Sequence, residues 1–214
     1  MTIRVGSAPP HEPRPGSTMQ ILRWDGNRDG LGGLRIHPRS DGDRLRLHTG
    51  GGVRFAVADP PYIGQAQRHY KCPEIDHNLL VHRLVNFYPD GWVLCLSSPT
   101  LKGILNLCPD DVRVGAWVKP FASFKPGVNP AYAWEPVIWR GGRKRDRTVL
   151  TVRDWVSASI TLKKGLAGAK PPKFCDWVFD LLGATDEDEI DDLFPGTGVV
   201  TARWKARQGK LALA

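Results

Sequence analysis

The sequence predicts an α/β fold built on a mostly parallel sheet, and three stretches carry that prediction. Arg54-Phe55-Ala56-Val57-Ala58 is a short apolar run that stops abruptly at Asp59-Pro60-Pro61, as a buried parallel strand does on leaving a sheet at its carboxyl end. Asp76 then stands ahead of Leu79, Leu80, Leu84 and Val85 at helical spacing, and Pro89-Asp90-Gly91 turns the chain into the apolar strand 92–97. Late in the chain, Pro171 opens an apolar helix that Gly183 stops, and Glu189-Ile190-Asp191-Asp192-Leu193-Phe194 reads as a strand running into Pro195-Gly196-Thr197-Gly198.

Between these anchors the elements follow in order. Residues 1–18 are rich in Pro and Gly without periodicity, which predicts a flexible arm, so the expected folded domain is 19–214. Short β-like pieces at 20–24 and 44–48, separated by Gly and Asp turns, predict a small hairpin. Residues 99–107 read as a short helix, 112–118 and 132–139 as strands, and 119–130 as a long aromatic and basic loop between them. The segment after the basic loop 140–147 has no assignable pattern, and a short helix follows Gly198. A mostly parallel sheet with one antiparallel edge strand and helices on both faces is the expected assembly.

At 214 residues the chain suits one α/β domain and is short for two domains with a linker. Its formal charge of +8 draws a polyanion, nucleic acid first among them. Cys72, Cys95, Cys108 and Cys175 form no C-x-x-C pair, so free thiols and no zinc cage are expected. No apolar run approaches the ~20 residues that span a bilayer, and the expectation is a soluble, cytoplasmic protein.

Asp59-Pro60-Pro61-Tyr62 is the segment with the clearest chemistry. The exocyclic amine of a nucleobase is a poor nucleophile because its lone pair is delocalised into the ring. A carboxylate and a backbone carbonyl accepting its two N–H bonds would localise that pair and aim it at a methyl donor. Asp59 supplies the carboxylate and Pro60 the carbonyl; Pro61 helps to fix the backbone beyond the strand, and Tyr62 offers an aromatic face to an extruded base. The two glycines of Asp192-Leu193-Phe194-Pro195-Gly196-Thr197-Gly198 permit a ligand to approach the backbone at a strand end.

The order of these motifs resembles the adenine-N6 DNA methyltransferases of the permuted β type, in which D-P-P-Y precedes a K-P helix start and a D-x-F-x-G-x-G donor motif. The likeness covers residues 55 to about 203. It implies a Rossmann-like S-adenosylmethionine-dependent methyltransferase fold in circularly permuted order. It also implies that Asp59, Pro60 and Tyr62 hold the target base, and that Asp192, Phe194, Gly196 and Gly198 line the donor pocket beside Lys170 and Pro171. Ser97-Ser98-Pro99 would border the target pocket. A second likeness is to the messenger-RNA adenosine methyltransferases and their bacterial and phage relatives, whose W-x-K and following glutamate are echoed by Trp117-Val118-Lys119 and Glu135. Tyr62 in place of their Trp favours DNA. One departure concerns the donor ribose: no Asp or Glu follows Gly198, so either the 20–50 region with Asp41 and Asp43 supplies that contact or donor affinity is poor.

Arg143, Lys144, Arg145 and Arg147 are read both as a phosphate-contacting loop and as a solvated surface. Lys119, Phe121, Phe124, Lys125 and Asn129 are read both as a cradle for a splayed strand and as a hydrophobic lid. Trp92, Trp117 and Trp177 fall on apolar faces and belong to the core. The acidic run 186–192 is placed away from the substrate, Asp192 excepted. The substrate set is therefore DNA, single-stranded or duplex, with RNA, cytosine N4 or a nucleobase-like small molecule as alternatives and no metal. A homodimer, a partner subunit or a catalytically silent nucleic-acid-binding relative completes the set.

Overall fold

A computed structural model describes residues 20–23, 35–38, 52–120, 127–160 and 169–211. The expected arm, the 44–48 strand piece, Asp41, Asp43, Phe121, Phe124 and Lys125 lie outside the described residues. Strand β1 (Gln20–Arg23) pairs antiparallel with β2 (Arg35–Pro38).

The centre of the molecule is a six-stranded sheet. Its strands are β3 (Arg54–Ala58), β4 (Gly91–Cys95), β5 (Arg113–Val118), β6 (Trp134–Gly141), β7 (Trp155–Ser157) and β8 (Glu189–Asp192), in the spatial order β7-β5-β6-β4-β3-β8. β3 runs parallel to both β4 and β8, and β5 runs parallel to β7, whereas β6 is antiparallel to β4 and β5. The sheet is thus mixed and mostly parallel, with helices on both faces. The antiparallel strand is interior and not at the edge, as the sequence had suggested. The edge is taken by β7, whose Trp155, Val156 and Ser157 pair with Ala116, Trp117 and Val118.

Period-two alternation divides the strand side chains between two cores. Phe55, Val57, Val93, Cys95, Trp117, Val137, Trp139 and Val156 face helix α3 (Pro172–Leu182), through its Phe174, Trp177, Val178, Phe179 and Leu182. Val200 and Trp204 of α4 (Val199–Leu211) join that side. Ala56, Ala58, Trp92, Leu94 and Ile138 face helix α1 (His77–Phe87), through Leu80, Val81 and Leu84, together with Ile104 of α2 (Leu101–Leu105). The three tryptophans assigned to the core, Trp92, Trp117 and Trp177, are buried.

Local signals set the helix ends. The Asp76 carboxylate accepts the Leu79 N–H at 3.0 Å, capping α1. Pro171 caps α3, and Gly183 at φ 63° ends it in the left-handed region that glycine enters without strain. The helix expected at 99–107 is split into a 3-10 turn, Ser98–Thr100, and α2. The helix after Gly198 runs for 13 residues, longer than its polar sequence suggested, because Arg203 pairs with Asp176 and Arg207 with Asp180 across to α3.

The acidic run contains a buried structural residue. Asp188 accepts from the N–H groups of Val53 and Thr185 and from Arg143, tying the start of β3 to the turn before β8. Burial works against its ionisation, but those donors hold its carboxyl below the ordinary value.

Candidate active site

β3 and β8 are adjacent parallel strands, with Val57 opposite Asp192. The connection after β3 leads to α1 on one face, and that after β8 leads to α4 on the other. Neighbouring strands whose connections part to opposite faces open a crevice at their carboxyl ends, where sheets of this kind bind ligands. Asp59-Pro60-Pro61-Tyr62 lines one side of that crevice and the loop after Asp192 the other.

On the β3 side, Lys170 is the organising group. Its chain position directly ahead of α3 brings a buried ammonium under the 59–62 loop, donating to Asp59 Oδ1 at 2.7 Å, Asp59 Oδ2 at 2.8 Å and the Tyr62 hydroxyl at 3.4 Å. The rings of Tyr62, Trp117 and Phe174 surround the same ammonium at 5.5, 5.6 and 5.9 Å, close enough for cation–π attraction. Tyr62 donates its hydroxyl proton to Glu135 Oε2 at 2.6 Å, Glu135 Oε1 accepts from Lys119, and Lys170 stands 3.9 Å from Glu135. Two carboxylates and two ammoniums therefore enclose one tyrosine.

The electrostatics follow from that closure. Burial pushes the Asp59 carboxyl above its ordinary value, and Lys170 draws it partly back. Glu135, also desolvated but facing Lys170 and Lys119, is held below its ordinary value. Lys170 is raised despite burial, because Asp59 and other acidic neighbours favour its charged form. Burial and then Asp59 push the Tyr62 phenol well up, so it stays a neutral donor. Cys95, at the end of β4, is likewise pushed well up by burial and by Asp59, which keeps it a thiol and a poor nucleophile.

On the β8 side, Asp192 accepts from Thr201 Oγ1 at 3.2 Å and from the Phe194 N–H, and burial raises its carboxyl. Its observed contacts fix the turn. Gly196 and Gly198 adopt φ of 47° and 72°; a side chain on Gly198 would meet no atom within 4 Å, and one on Gly196 only the Phe194 carbonyl oxygen at 3.8 Å. Phe194 is half-buried against the α1-side core. The loop presents open space over backbone, which fits a ligand pressed against it.

The other expected site residues divide in two. Ser97 and Ser98 lie after β4 on the same edge of the sheet as Asp59, where Thr100 donates to the Ser97 carbonyl at 2.9 Å. Lys119 and Glu135 join the site directly, Pro171 caps α3 beside it, and Asn129 is exposed on the loop before β6. Arg143, Lys144 and Arg145 follow the end of β6, which pairs with Gly91 at the start of β4, so they occupy the opposite edge. Arg143 is held by Asp188, and Arg145 by the carbonyls of Leu150 and Asp180. Sequence reasoning missed the direct Lys170–Asp59 pair, whose members lie 111 positions apart.

Fold and crevice together define a Rossmann-like α/β protein with an ionic and aromatic cluster where β3 ends at one edge of its sheet. No family model and no curated protein matches the chain. Among solved structures, it is similar to the crystal structure of the M1.HpyAVI–SAM complex at 15% identity and a TM-score of 0.47, over 73% of this chain and 78% of that one.

Among the described residues no group of His, Cys, Asp and Glu is arranged to hold a metal ion, and no helix is long and apolar enough to cross a membrane.

Proposed function

We propose that the chain is an S-adenosylmethionine-dependent methyltransferase acting on the exocyclic amine of a nucleobase, adenine N6 in DNA, and that its motif order is circularly permuted. The observation that carries this reading is the placement of Asp59-Pro60-Pro61-Tyr62 across one crevice from the open glycine turn 196–198. The fit of such a donor to this chain rests on the crevice and its glycines.

Bound there, S-adenosylmethionine supplies an electrophilic methyl group. Gly196 and Gly198 would hold it against the backbone, with Phe194 beside it. Asp59 and the Pro60 carbonyl would accept the two amine N–H bonds of the target base, turning its nitrogen lone pair toward the donor. Lys170 occupies one lone pair on each Asp59 oxygen and leaves others for the amine. It thereby fixes the carboxylate's orientation and favours its charged form against the pull of burial. Tyr62, anchored by its hydroxyl to Glu135, presents its ring to the base with little rotational freedom left to lose. On methylation the amine would gain positive charge, which Asp59 would oppose, and its surplus proton would pass to that carboxylate or to water.

Incubating the protein with S-adenosylmethionine and unmethylated DNA, then digesting to nucleosides, tests the assignment. N6-methyldeoxyadenosine is expected; N4-methyldeoxycytidine alone would overturn the choice of base.

A further inference from the structure

The chain directly after Tyr62 forms a π-helix, Ala66–Tyr70, ended by Lys71 in the left-handed region at φ 55°. π-Helices are rare and concentrate at functional sites, and a non-glycine residue with such a φ is held there by its surroundings. The segment is anchored: Gln65 N–H donates to the Tyr62 carbonyl at 2.8 Å, His69 N–H to the Gln65 carbonyl at 3.0 Å, and Gly64 N–H to Glu74 at 3.2 Å. Ala66 is fully buried beneath it. Residues 67–71 (Gln67, Arg68, His69, Tyr70 and Lys71) are nevertheless all exposed, Tyr70 by 45%. The held backbone thus turns two cations, Arg68 and Lys71, and one aromatic ring to solvent.

Its position and its unpaired charges decide what it binds. The Gln65 N–H bond to the Tyr62 carbonyl starts the π-helix at the edge that carries Asp59 to Tyr62, and the Tyr70 phenol, raised by burial and then by Asp59, agrees with that place. Arg54, Lys119, Arg140, Arg143, Lys170, Arg203 and Arg207 are paired with carboxylates; among the described residues Arg68 and Lys71 have no such partner, nor do Lys102, Lys144, Arg147, Lys173 and Lys205, so it is their place directly after Tyr62 that marks them. Glu74, the nearest acid in sequence, is engaged by Gly64.

Resting on the nucleobase reading of Asp59 to Tyr62, we infer that residues 66–71 grip the nucleic-acid strand beside the target nucleotide. Arg68 and Lys71 take its phosphates, and Tyr70 stacks on the neighbouring base. The grip thus lies on the catalytic edge, and the basic loop 143–147 on the far edge has no part in it.

Fluorescence anisotropy with labelled single-stranded and duplex oligonucleotides over a range of salt tests this on the full chain. Arg68→Gln with Lys71→Asn, the asparagine chosen because it tolerates the left-handed backbone, should weaken binding tenfold or more and lower the log–log salt slope by about two. Tyr70→Ala should weaken it by roughly tenfold, while Tyr70→Phe stays within about twofold. Lys144→Gln with Arg147→Gln should bind as the wild type does. An unchanged affinity and slope in the Arg68/Lys71 variant would overturn the grip while leaving the nucleobase reading standing. A wild-type chain that binds S-adenosylmethionine but no oligonucleotide would overturn both.

Discussion

At the scale of single residues, the account turns on a half-buried carboxylate paired with Lys170. Asp59→Asn keeps the volume of the side chain and removes the charge that opposes the growing positive charge on the amine. It should lower turnover by a factor of about a thousand with donor affinity little changed, the size of effect seen when one pre-placed electrostatic group is removed. Lys170→Met tests the positioning role separately. It leaves the half-buried Asp59 without its counter-ion and should destabilise the fold by about 2 kcal/mol in a denaturant titration, less than a fully buried pair would cost. Because Asp59 is already raised by burial and Lys170 opposes that rise, the same variant should move the acid limb of the pH–rate profile to higher pH. An acid limb that stays in place, or moves lower, would exclude Lys170 as the group that favours the charged form of Asp59.

At the scale of elements, the legible parts of the fold were those with local signals. Asp76 caps α1, Gly183 ends α3, and the apolar run 55–58 stops at two prolines, so each announces itself within a few positions. β7 does not, because three residues in a parallel edge pairing owe their conformation to β5 rather than to their own pattern. The interior place of β6 was hidden for the same reason, since strand order is a tertiary property. Asp188 shows the converse: an acid in a charged run that the sequence places only away from the substrate is a buried clamp on two backbone N–H groups. Asp188→Ala should cost about 3 kcal/mol by leaving those donors unpaired. Its carboxyl is held below the ordinary 3.8, so its contribution is fully present above that value and is lost as pH falls through the lower folded value. The glycine turn gives a functional test. Gly198→Val, at φ 72°, places a side chain in the open space and should raise the donor's Kd by tenfold or more, as calorimetry would record, with nucleic-acid affinity unchanged.

At the scale of the whole molecule, the site was legible in its members and not in its wiring. Asp59, Tyr62, Glu135 and Lys119 were all candidates from sequence, yet that Lys170 joins Asp59 and that Tyr62 joins Glu135 follows only from the sheet order, which brings β3, β6 and the start of α3 to one edge. The +8 net charge was likewise visible, but not which of the 30 lysines and arginines pair with acids within the fold and which face solvent. The central claim, methyl transfer to a nucleobase amine at Asp59, is tested most directly by following radiolabel from methyl-labelled S-adenosylmethionine into oligonucleotides. Incorporation by the wild type into N6-methyladenine, and none above background by an Asp59→Asn variant that still binds the donor, is the predicted result. Equal incorporation by the two proteins would contradict it.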